Sequence, residues 1–164
     1  MRRSSPSRGA SLDLDAARRE LRALYAEVDA LLEPFRCEGT TECCRFAITG
    51  REPYPTAVEL DAVQRAIATV GGPRAAFGRG RHLPLARDGR CPLLDGAGRC
   101  RIYESRPFGC RTFFCDRVEG PGKLPRRELL DLGARVAALS ARAFPADPAA
   151  RPLTRALEAL GAGR

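Results

Sequence analysis

CPLLDGAGRCRIYESRPFGCRTFFC, running from Cys91 to Cys115, holds four of the seven cysteines of this chain: Cys91, Cys100, Cys110 and Cys115. Their spacing is C-x8-C-x9-C-x4-C. The other three, Cys37, Cys43 and Cys44, sit in one short upstream segment, RCEGTTECC. Thiolates are soft and anionic, which suits zinc, iron and iron–sulfur clusters. Grouped thiolates repel one another unless a bound cation supplies the compensating charge. Both segments contain glycine and small residues, so their loops can turn tightly and let sulfurs converge. Neither carries the paired C-x2-C knuckles of a zinc ribbon. The spacing therefore specifies a metal or redox site without naming the metal. The competing reading treats cysteine as a small buried apolar residue. It suits one or two positions and is a poor account of seven confined to two segments.

Working outward, the chain reads as mainly α with a small β-hairpin, a single cysteine-rich, metal-stapled domain. Cys91–Leu94 and Arg99–Tyr103 are expected as short strands joined by the turn Asp95–Gly98. His82–Ala86 is a further candidate strand before the Asp88–Gly89 turn, and Arg45–Thr49 another. A single helical turn is expected over Ser105–Cys110. Upstream, Leu14, Ala17, Leu21, Leu24, Val28 and Leu31 recur at helical steps, with Ser11 as a candidate cap and Pro34 as the stop. Thr56 and Glu59 have the spacing of a capping box for a helix over 57–70, whose apolar face is Leu60, Val63, Ile67 and Val70. Leu129, Leu132, Val136, Leu139 and Ala143 mark a helix over 126–143, and Leu153, Leu157 and Leu160 a last one over 152–160. Residues 1–10 are polar and expected to be disordered, leaving 11–164 as one domain of ordinary size for 164 residues.

The net charge of +8 comes from 28 basic residues of which only Lys123 is lysine. The arginines are dispersed and form no run of five or more, so a solvated surface accounts for them better than a nucleic-acid footprint. No stretch approaches the ~18 apolar residues of a membrane span, and no apolar region follows the basic start, as a secretory signal would require. A cytoplasmic, reducing location is expected, where cysteines serve metals or redox chemistry and not disulfides.

These residues resemble the YkgJ-type cysteine-cluster family, described as zinc- or iron-chelating proteins. Its later block reads C-P-x-L-x-x-x-G-x-C-x-I-Y-x-x-R-P-x-x-C-R-x-F. Cys91-Pro92, Leu94, Gly98, Cys100, Ile102-Tyr103, Arg106-Pro107, Cys110-Arg111 and Phe113 fall in register with it, and Cys115 matches a further downstream cysteine. The earlier block, C-x-x-C-x-x-C-C, is met by Cys37, Cys43 and Cys44, with Thr40 in the fourth cysteine place. The resemblance implies all seven cysteines as metal ligands, with Cys91, Cys100 and Cys110 joined by an upstream partner. Losing the eighth thiolate implies an open coordination position, or a substitute drawn from Glu38, Glu42, Asp116 or His82. A lone histidine beside arginines is more ordinarily a surface group. Tyr103, Arg106 and Arg111 are implied either to contact the bound cofactor or an anionic substrate, or to tie the loop to the following turn. Phe108, Phe113 and Phe114 would shield the site from water.

Three functions are implied. One is an iron-binding protein, carrying iron or an iron–sulfur cluster in a small redox or modifying enzyme; similar domains occur in flagellin lysine methylases. Another is a non-catalytic zinc module binding an acidic partner such as nucleic acid. The last is metal storage or delivery. The chain has no G-x-G-x-x-G or phosphate-binding loop and no C-x3-C-x2-C triplet, so the substrate or protein partner is unnamed at this level.

Overall fold

The computed structural model describes residues 13–36, 41–73, 89–113 and 118–162. The helices expected from apolar periodicity are present. Helix α1 spans Leu14–Leu32, capped by Asp13, whose carboxylate accepts from Ala16 N; Ser11, the expected cap, lies outside the described residues. A single turn, α2, covers Phe46–Thr49, and α3 covers Ala57–Thr69 behind a formed Thr56/Glu59 capping box. After α4, Phe108–Thr112, come α5, Arg126–Ala143, and α6, Leu153–Ala162. None of the described helices is long and apolar enough to cross a membrane.

Two apolar cores share α3 as a common wall. The first packs Leu21, Leu24 and Val28 of α1 against Val58 of α3 and Val136 and Leu139 of α5. The second packs Val63 and Ile67, from further along α3, against Leu93, Ile102 and the α6 residues Leu153 and Leu157. Ion pairs lie over the seams: Arg18 grips Asp61 through two bonds of 2.8 and 2.9 Å, and Arg135 reaches Glu27. Solvent screens such pairs, so they set helix register more than stability. They also occupy part of the arginine excess.

The expected β-hairpin does not form. Among the described residues there is no strand, only isolated antiparallel bridges at Arg36–Glu119, Arg45–Arg90 and Leu94–Cys100. The reason lies in the cysteine segment itself. Pro92 lacks an N–H and fixes its own φ. Asp95 Oδ1 accepts from Ala97 N and Arg99 N, curling the loop back on itself, and Gly98 completes the turn at φ 77°. One bridge survives, with Arg101 N donating to Leu93 O at 2.9 Å and Asp95 N to Arg99 O at 2.8 Å, before the chain enters a 3-10 turn at Tyr103–Ser105. Likewise Arg45–Thr49 is not a strand: it holds α2, closed by Gly50 in the left-handed region. The candidate strand His82–Ala86 and Asp88 lie outside the described residues.

Candidate metal centre

The upstream cysteines enter through a 3-10 turn, Glu42–Cys44, that starts from Thr41 at φ 56°. The turn leaves the Cys44 carbonyl free to accept from Cys91 N at 2.7 Å, and Arg45 then bridges to Arg90. The two cysteine segments are thus stitched together by main chain at the point where each presents a thiol. Cys100 sits on the surviving bridge opposite Leu94. Cys110 is carried by α4.

Helix α4 cannot cap itself, because its N-cap is Pro107, whose side chain accepts no hydrogen bond. A carboxylate 49 residues upstream does it instead: Glu59 Oε1 accepts from Phe108 N at 2.7 Å and from Tyr25 OH at 3.1 Å. The same side chain, 2 % exposed, closes the α3 capping box through Oε2, which accepts from Thr56 N and Thr56 Oγ1. One buried carboxylate therefore joins α1, α3 and the cysteine-bearing α4. A second, Glu52, accepts from the backbone N–H (2.6 Å) and hydroxyl of Thr154, docking α6 beside the cysteine segment.

Five cysteines, Cys43, Cys44, Cys91, Cys100 and Cys110, line one cleft of about 1630 Å³. All five are free thiols. Cys43, Cys91, Cys100 and Cys110 are all within electrostatic reach of one another. Burial, the largest cause, raises the Cys91 thiol to about 12 and pushes Cys100 and Cys110 up as well, with neighbouring thiols adding to it. The backbone N–H of Leu93 beside Cys91, and that of Ile102 beside Cys100, act in the opposite sense and favour the thiolate. In the adjacent pair the sulfurs are 3.9 Å apart. The Cys44 S–H favours ionisation of Cys43, whose pKa is lowered, while Cys44 itself is held protonated. A bound cation would reverse the cost of ionising these thiols. Among the described residues, no three Cys, His, Asp or Glu side chains converge closely enough to hold an ion as they stand. The donor chemistry, several thiols facing one cleft, fits a thiophilic metal. Cys37, Cys115, Thr40, Glu38, Asp116 and His82 lie outside the described residues.

Two of the four arginines of the second segment, Arg106 and Arg111, have opposite situations. Arg111, 5 % exposed, is engaged by protein groups at every nitrogen. Its Nε donates to Arg106 O at 2.9 Å, Nη1 to Asp29 at 2.6 Å and Nη2 to Glu104 O, and its guanidinium stacks on the Tyr25 ring. It clamps the 104–106 loop onto α1. The Arg106 guanidinium lies on the Tyr103 ring, 3.8 Å from the centroid, and its buried Nε has no hydrogen-bond partner. An unmet buried donor costs about 1–3 kcal/mol. This cation is close enough to lower the pKa of Cys43, Cys100 and Cys110, though in each it is outweighed or exceeded by other causes. Arg51, which sequence reasoning missed, also lines the cleft, over the Phe113 ring.

A helical domain with free thiols from two chain segments around one cleft defines a cysteine-rich metal-binding protein. The sequence profile of the CxxCxxCC family, described as "Putative zinc- or iron-chelating domain", matches residues 36–123, and the chain belongs to that family. Searches of curated proteins and of solved structures returned no match.

Proposed function

We propose that this chain binds iron at the cleft, as an iron–sulfur cluster, with Cys43, Cys91, Cys100 and Cys110 as ligands, and serves as a small redox or modifying enzyme. The observation that carries this is the placement of five thiols around an open cleft far larger than an ion. Structural zinc sites are closed, four-coordinate knots. The first core contains no cysteine; apolar packing, with hydrogen bonds and ion pairs beside it, holds α1, α3 and α5 together. A metal staple is therefore not what that half of the fold needs. Cys43 is chosen over Cys44 because it is within electrostatic reach of Cys91, Cys100 and Cys110, whereas Cys44 reaches only Cys91 and Cys110 of the three. When bound, the group would supply one-electron or Lewis-acid chemistry. The protein's part is to supply thiolates, backbone N–H groups at the sulfurs, and apolar walls such as Phe113 and Ile102. A cytoplasmic site of action is part of this reading, since reduced thiols persist there.

The test is anaerobic purification followed by optical spectroscopy, elemental analysis and acid-labile sulfide. A brown protein with iron and sulfide, lost in Cys100→Ala and Cys110→Ala, supports the proposal. A colourless protein with one tightly held zinc would instead make this a structural zinc module.

A further inference from the structure

The metal reading leaves one strong group unused, the Arg106 guanidinium. We propose that Arg106 forms an anion subsite beside the thiols, and that it takes the carboxylate of a small organic acid with an apolar body. The inference deepens the metal-site reading, since that carboxylate would lie next to the bound group.

Three observations converge on this. Arg106 lines the cleft, and its Nε, shielded from solvent, is the only buried side-chain N or O atom among the described residues with no hydrogen-bond partner. A planar guanidinium with free N–H groups matches a carboxylate in a two-point fork. The Tyr103 ring, 3.8 Å beneath it, holds the plane in place without using any of its donors. Its neighbour Arg111 is instead saturated by Asp29 and two carbonyls, so the loop already has its structural arginine. The residue before a proline is confined to extended backbone, and Arg106 obeys this at φ −62°, ψ 139°. Its side chain is thus presented from a fixed point.

The surroundings select the ligand. The cleft has room for an organic molecule, and Phe46, Leu94, Ile102 and Phe113 contribute apolar wall. Arg51, over Phe113, adds a second positive charge on the same cleft; Asp29, Glu52, Asp95 and Glu104 also line it, the first three already engaged by Arg111, by Thr154 and by the Ala97 and Arg99 N–H groups. Among the described residues, neither Arg51 nor Arg106 is paired with a carboxylate. An acid with an aromatic or aliphatic body satisfies both the charge and the walls; inorganic phosphate satisfies only the charge.

Benzoate, acetate and inorganic phosphate are titrated by calorimetry into the full chain, metal-free under reductant and again after metal loading, with metal content measured alongside. Benzoate is expected to bind saturably and at least tenfold more tightly than acetate or phosphate. Arg106→Gln should weaken it at least tenfold, and Arg106→Lys, which lacks the Nε donor, should not restore it. Both variants should keep the wild-type metal content. In the unsubstituted chain, the Arg106 Nε–H resonance should shift on benzoate addition, a readout independent of how the variants fold. A fixed resonance, equal binding of phosphate, or wild-type binding by the Gln variant overturns the proposal. So does loss of metal from the Gln variant, which would assign Arg106 to the thiolates. If the chain holds no metal yet benzoate binds through Arg106, the metal reading falls and the anion subsite stands.

Discussion

Glu59→Ala should be among the most damaging single substitutions outside the thiols. The carboxylate accepts four hydrogen bonds, from Thr56 N, Thr56 Oγ1, Tyr25 OH and Phe108 N, at 2.8, 2.9, 3.1 and 2.7 Å. Truncation strands two donors in the interior, Tyr25 OH and Phe108 N, at about 1–3 kcal/mol each. Loss of the capping box adds about 1 kcal/mol. The donors share one acceptor group and are not additive, so about 4 kcal/mol in total is expected. That is a large part of the 5–15 kcal/mol typical of a domain, and corresponds to a drop in melting temperature of about 8–16 °C at this size. Glu59→Gln keeps one oxygen. Its amide should turn toward Thr56, whose hydroxyl can rotate to accept but whose N–H loses its acceptor, and keep the oxygen on Tyr25 and Phe108. About 1–2 kcal/mol should be lost, with α4 still capped. Urea melts of the metal-free, reduced protein followed by circular dichroism measure both. An Ala variant within 1 kcal/mol of wild type would refute the picture of one carboxylate tying α1, α3 and α4 together.

Arg111→Lys should cost about 2–3 kcal/mol, since an ammonium cannot replace a fork that meets Asp29 and two carbonyls at once; equal urea midpoints would refute it. Leu139→Ala and Leu157→Ala each open a hole at a fully buried site and should each cost about 2–5 kcal/mol. Only Leu157, packed in the core that includes Cys91, should also weaken metal retention, as a competition titration with a chelator would show. Gly89→Ala forces a side chain onto φ +69° and sets its Cβ 2.2 Å from Ala47 Cβ. It should disrupt the Arg45–Arg90 bridge, seen as faster amide exchange at Cys91, whose N–H is bonded to Cys44 O.

What the sequence by itself determined is local. Helical periodicity located α1, α3, α5 and α6, with α5 at Arg126–Ala143 as expected, and the Thr56/Glu59 box was readable because its partners are three residues apart. Cysteine spacing and the matched block identified the metal-binding family. Tertiary structure alone decided the rest. The hairpin failed because strands need partners in register, and Asp95, Gly98 and Pro92 spent that stretch on turns. Arg106 and Arg111, equivalent as letters in one motif, separated only when packing delivered Asp29 to one and no carboxylate to the other. Glu59 became the cap of α4 because the apolar faces of α1, α3 and α5 bring that helix start within 2.7 Å of it. Contacts between residues tens of positions apart depend on how apolar faces stack, and no short window of sequence encodes that stacking.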